Sequence, residues 1–96
     1  MFEISLGGQG VVVMSGRLDA SQCAKAQAFL DGLPDPRVVD MAALEYISSA
    51  GLGVLLKTQK RLMAGGGALR LVNVNTHIAD IFRFSGFDQI FTVEPA

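Results

Sequence analysis

Ser48-Ser49-Ala50-Gly51-Leu52-Gly53 lies between a strand-like run, Val38-Val39-Asp40-Met41, and an amphipathic helix predicted over residues 52–63. Two hydroxyls therefore sit where a helix begins. The first backbone N–H groups of a helix have no internal partner, and the aligned peptide dipoles place partial positive charge there. Such an end suits an anion, including a phosphate carried by a serine. This reading makes Ser49 the functional centre, as a phosphoacceptor and not as a catalyst. Its plainer role is helix capping, and the two are compatible: a serine can cap when free and carry phosphate when modified.

Outward from this point, strands alternate with helices. Residues 2–6 alternate apolar and polar, as a strand does. Gly7-Gly8-Gln9-Gly10 predicts a turn, and Val11-Val12-Val13-Met14 a second strand in a hairpin. Its unbroken apolar run predicts burial on both faces, with Gly16 closing it. Ser21 is the predicted N-cap of a helix reaching about Leu33, with Ala26, Phe29, Leu30 and Leu33 as its buried stripe. Pro34-Asp35-Pro36 stops it. A third strand is predicted over residues 37–41, and residues 42–47 as a connection anchored by Leu44, Tyr46 and Ile47.

The second helix is predicted to bury Leu52, Leu55, Leu56, Gln59 and Leu62 or Met63, and to end at Gly65-Gly66-Gly67. A strand over residues 68–74 follows, then a helix capped by Asn75 or Thr76 that packs Ile78, Ile81 and Phe82 and ends at Ser85-Gly86. Residues 89–93 form the predicted last strand, with Glu94-Pro95-Ala96 as a tail. The order β-β-α-β-α-β-α-β implies an α/β fold with a mixed, mostly parallel sheet, as one domain over residues 1–96.

Composition excludes several classes. Half of the 96 residues are hydrophobic and 18% are charged, which is ample for a core and argues against disorder. A net charge of −1 argues against nucleic acid. Lys57, Lys60 and Arg61 gather on one helix and read as a solvated face. The single Cys23 forms no internal disulfide and suits a reducing compartment. No apolar run is long enough to span a membrane, and Met-Phe-Glu-Ile is not a signal-peptide start, so a cytoplasmic protein is expected.

Catalytic and ligand signatures fail at definite positions. A nucleophile elbow needs Gly-x-Ser-x-Gly, and Ile47 occupies the first glycine position. No Asp or Glu lies between Ser49 and His77, the one histidine, so the order of a hydrolase triad is broken too. Gly51-Leu52-Gly53 would need a glycine at 56 for a dinucleotide fingerprint, and Leu56 stands there. There is no phosphate-binding loop, no cysteine-rich metal site and no implied cofactor. Asp19 and Asp40, near the ends of neighbouring strands, form a candidate pair to hold a cation or position a phosphate-bearing partner, against the plainer reading as turn and capping residues.

The run from Asp40 through Tyr46-Ile47-Ser48-Ser49-Ala50-Gly51-Leu52-Gly53 to Leu56 resembles the signature of STAS domains, in particular bacterial anti-anti-sigma factors (anti-sigma factor antagonists). Gly16-Arg17-Leu18-Asp19 is similar to their turn before the first helix, and Ile81-Phe82-Arg83-Phe84-Ser85-Gly86-Phe87 to their pattern before the last strand. The resemblance implies helices packed mainly against one side of the sheet, and a phosphoprotein of signal transduction and transcription regulation that acts by partner switching.

The unphosphorylated domain would bind an anti-sigma factor that is also an ATP-using serine kinase. That kinase would phosphorylate Ser49, and a metal-dependent serine phosphatase would reverse it. Asp19 matches a family aspartate beside the phosphorylation loop, and Gly51 the glycine that keeps the helix start open. Ser48 replaces an aspartate common in the family and becomes a second candidate acceptor; Ala50 replaces a Ser or Thr. The alternatives are a non-phosphorylated STAS subunit of a regulatory or lipid-transport complex, and a small-ligand or nucleotide binder using the same helix end.

Overall fold

A computed structural model describes residues 1–96. Five strands, β1 (Phe2–Leu6), β2 (Val12–Leu18), β3 (Val38–Ile47), β4 (Arg70–Val74) and β5 (Thr92–Pro95), stand in one sheet in the order β1-β2-β3-β4-β5. β1 and β2 form an antiparallel hairpin, and every later pairing is parallel. Three helices supply the crossovers: α1 (Cys23–Asp31), α2 (Ser49–Ala64) and α3 (Thr76–Phe84).

Each parallel step moves the chain in the same direction across the sheet. Crossovers of this kind are right-handed, so a one-way order puts all three helices on one face. Burial agrees: Val12, Met14 and Leu18 of β2, Val39, Met41, Leu44 and Ile47 of β3, and Leu71 and Val74 of β4 join a single core with Leu30, Leu55, Ile78 and Phe82 of the helices. The opposite sheet face is uncovered. Val13 is therefore half-buried rather than enclosed between two layers, which corrects the expectation of burial on both faces.

The sheet departs from the sequence reading in three further places. β2 does not close at Gly16 but continues to Leu18. Gly16 takes φ +84, and a Cβ there would stand 2.0 Å from the Met1 carbonyl oxygen, so only glycine fits this kink. β3 runs on through residues 42–47, where a connection was expected. Its inward residues fall at 39, 41, 44 and 47, because the pairing with β2 slips between Val13 and Ser15 and again between Gly16 and Arg17. Each slip is a bulge that adds one residue to β3. The last strand begins at Thr92, after a 3-10 turn at Phe87–Gln89, and takes in Glu94, whose carboxylate pairs with Arg70 at 2.7 Å.

Helix α2 is fixed at its middle by a buried amide. Gln59, 2% exposed, donates to the Ile90 carbonyl and accepts from the Leu69 N–H, both at 2.8 Å. These two groups lie just before β5 and β4. Arg61 reaches the Leu30 and Pro34 carbonyls at the end of α1, so it closes a helix terminus and is not simply solvated.

Candidate functional site

The C-terminal ends of β2 and β3 lie side by side, with Leu18 opposite Ile47. The loops that leave them, starting at Asp19 and Ser48, therefore emerge together. The Leu18 carbonyl ties them: it accepts the Ser48 N–H at 2.9 Å and the Ser48 hydroxyl at 3.1 Å. Gly51 completes the junction. A Cβ on Gly51 would meet Ile47 Cγ1 at 2.8 Å, Leu18 Cγ at 2.9 Å and the Leu18 carbonyl oxygen at 3.0 Å. The glycine is thus required by close approach of α2 to β2, which differs from the expected role of holding the helix start open.

Ser48, not Ser49, is the N-cap of α2. Its Oγ accepts the Gly51 N–H at 3.1 Å, while its own hydroxyl hydrogen goes to Leu18. Ser49 is the first helical residue and is exposed. The earliest helical bond runs from the Leu52 N–H to the Ser48 carbonyl at 2.9 Å, which leaves the N–H groups of Ser49 and Ala50 without a helical acceptor. The sequence did hold a signal for this assignment. With Ser48 as cap, the flanking positions that form a hydrophobic staple are Ile47 and Leu52, both buried; with Ser49 they would be Ser48 and Gly53. Ser48→Ala is expected to lower stability by about 1 kcal/mol, read as a shift in the urea midpoint, with Ser49→Ala near zero in the same assay.

Asp19 also caps. Its Oδ1 accepts the Ser21 N–H at 3.1 Å and the Ser21 hydroxyl at 2.6 Å, opening a 3-10 turn at Ala20–Gln22 ahead of α1. The Ser21 hydroxyl is the main cause that holds the Asp19 carboxyl below its usual value. Ser21 is therefore the capped residue and not the cap, and the α-helix proper starts later, at Cys23. The Cys23 thiol donates to the Asp19 carbonyl at 3.3 Å, and burial pushes its pKa up, away from a reactive thiolate. Asp19, Ser48, Ser49, Ala50 and Gly51 thus converge at one end of the sheet.

Asp40 does not join them. It pairs in register with Val13, whereas Asp19 follows Leu18, so the two carboxylates are separated by about 20 Å of strand. Asp40 instead accepts the Ala42 N–H at 2.9 Å and the Asn73 amide at 3.2 Å on the open sheet face. The expected Asp19–Asp40 pair is not formed, because parallel strands place the two residues at opposite ends. Asn75 caps α3 by accepting the Ile78 N–H at 2.9 Å, and His77 is exposed in the following turn. No helix is long and apolar enough to cross a membrane.

A family model described as "Mlab, STAS domain" matches residues 3–94. The chain belongs to the STAS family. Within that family it is 33% identical over 92 residues to a Bordetella bronchiseptica protein named as an anti-sigma factor antagonist, BtrV, covering 92% of this chain and 79% of the relative. The STAS chain shares its fold with an anti-sigma factor antagonist from Mycobacterium paratuberculosis, at TM-score 0.84 and 21% identity, over 100% of this chain and 87% of the other. It also shares it with the phosphorylated form of the Bacillus cell-fate determinant SpoIIAA, at TM-score 0.68 and 21% identity, over 97% and 90% of the two chains. The five-stranded, mostly parallel sheet with its helices on one side is thus the STAS fold, and the domain stands among the anti-sigma factor antagonists.

Proposed function

We propose that this STAS domain is a phosphoregulated binding module without catalytic activity, acting in the cytoplasm within a partner-switching cascade. In the unphosphorylated state it binds an anti-sigma factor that is also a serine kinase. The kinase transfers the γ-phosphoryl group of ATP to the Ser49 hydroxyl oxygen, forming the phosphoester and releasing ADP and a proton. A metal-dependent serine phosphatase restores the hydroxyl.

The observation that carries this reading is the division of labour between two adjacent serines. The Ser48 hydroxyl is used twice, as acceptor for Gly51 and as donor to Leu18, and modifying it would break the cap. Ser49 is exposed at the first helical position and free of that duty. A phosphate there adds about −1.5 to −2 charge. The helix end offsets part of it, on the order of 1 kcal/mol, so the domain keeps its fold while the surface presented to a partner changes.

Intact-mass and phosphosite mass spectrometry of the protein purified from its own cells tests this. One phosphate on Ser49, absent from Ser49→Ala, is the expected result. Ser49→Asp is expected to lose the partner and Ser49→Ala to hold it constitutively. A chain unmodified under several growth conditions would favour a non-phosphorylated STAS subunit, and phosphate on Ser48 would overturn the residue assignment.

A further inference from the structure

Where β2 kinks at Gly16 and its pairing with β3 slips, the sheet face away from the helices holds a cavity of about 330 Å³. Met1, Ser15, Gly16, Arg17, Ala43 and Glu45 line it. No helix contributes to it, and none of these residues belongs to the core. Its size falls within the range of small-molecule pockets, about 300–1,000 Å³.

The charges in this cavity are unspent. Lys25, Arg37, Arg70 and Arg83 each pair with a carboxylate. Arg17 and Glu45 carry opposite charges and line one cavity, yet no ion pair joins them to each other or to any other residue. The Arg17 guanidinium instead lies 4.4 Å over the Tyr46 ring. Stacking occupies one face of the planar group and leaves its in-plane N–H fork free. The Ser15 hydroxyl forms no hydrogen bond within the chain and stands at the same wall. Opposite Ser15 in register is Ala43, which is exposed. Alanine is a poor strand residue, and a larger side chain there would fill the cavity.

We propose that this cavity binds a small zwitterion of the amino-acid class. The ligand carboxylate takes the N–H fork of Arg17, its ammonium donates to the Glu45 carboxylate and the Ser15 hydroxyl, and its aliphatic body lies over Ala43. The two charges select the class. Glu45 repels a phosphate ester or any other simple anion, and Arg17 repels a simple cation, whereas a zwitterion satisfies both. The site is separate from Ser49 and does not depend on how that residue is read. It lies on the back of the same strand ends, since Arg17 and Tyr46 pair one position before Leu18 and Ile47, where the loops to Asp19 and Ser48 leave the sheet.

The test titrates the isotope-labelled full chain and follows its amide resonances. Glycine, β-alanine, γ-aminobutyrate and ε-aminocaproate separate the two ligand charges by increasing lengths; acetate and ethylamine carry one charge each. At least one zwitterion is expected to shift the Ser15, Gly16, Ala43 and Glu45 amides saturably, with affinity about tenfold or more above that of acetate or ethylamine. Arg17→Gln and Glu45→Gln are each expected to weaken it about tenfold, and Ala43→Leu to abolish it, with circular dichroism unchanged in all three. Arg37→Gln, whose arginine lies outside the cavity, is expected to bind as wild type. Glu45→Gln carries a further signature: it is expected to hold acetate more tightly than wild type does, because the repelling carboxylate is gone.

The absence of a saturable shift with all four zwitterions would overturn the proposal. So would acetate binding as tightly as the zwitterions, which would make the cavity a plain anion site. Unchanged zwitterion affinity in both Arg17→Gln and Glu45→Gln would place the ligand elsewhere and overturn it too.

Discussion

Gly51→Ala is expected to destabilise the domain by about 1–3 kcal/mol, the usual cost of forcing an extra carbon into a packed site. At about 4–8 °C per kcal/mol for a domain of this size, thermal denaturation followed by circular dichroism reads this easily. The new Cβ would press on Ile47, on the Leu18 side chain and on the Leu18 carbonyl oxygen. Either side chain can yield a little, but the carbonyl cannot move freely, since it holds the N–H and hydroxyl of Ser48. Relief therefore comes by shifting the first turn of α2 away from β2. The variant is accordingly expected to combine lost stability with weakened partner binding, whereas Gly53→Ala on the same helix raises stability. Equal and small effects of the two would show that the junction at Leu18 is loose.

Gln59→Leu is the second large effect, at about 2–4 kcal/mol. The substitution keeps much of the volume and adds apolar area, and on hydrophobicity alone it would be harmless. It removes, however, the one partner of the Ile90 carbonyl and of the Leu69 N–H. The Leu69 N–H is buried and the Ile90 carbonyl partly so; a buried group left unpaired costs about 1–3 kcal/mol, and the gain from the leucine offsets only part of the loss. Urea unfolding checks the magnitude. Hydrogen exchange adds a local signature: the Leu69 amide is expected to lose protection while the β1–β2 hairpin keeps its own. Stability equal to wild type would mean that water replaces the amide.

The two glycines and the glutamine also show how far the sequence is legible. The one-sided packing was implied by the resemblance to STAS domains and rests physically on the one-way strand order, which no local pattern carries. The element order follows from alternating periodicities and stood in the sequence. β3 did not, because its bulges place inward residues at 39, 41, 44 and 47; that spacing breaks the period of two by which strands are recognised. Gln59 was legible as a buried position but not as a clamp, since its partners lie on two segments that only the fold brings together. The division between Ser48 and Ser49 was legible in principle through Ile47 and Leu52, although two adjacent serines satisfy the capping preference equally well. The role of Gly51 was hidden, because close approach to a carbonyl thirty-odd residues upstream leaves no local pattern.

The one-way strand order also shapes how the chain acquires its structure. Every strand pairs with the one made just before it, so each parallel pairing spans a single helix crossover and none waits for a distant segment. A polypeptide leaving the ribosome can add each helix-and-strand unit to the growing edge of the sheet, with nothing already placed having to be undone. The bond from Gln59 to Ile90 is the late exception. It locks α2 only when the segment after α3 is in place, so the helix that carries Ser49 is held at Gln59 later than its place between β3 and β4 would suggest.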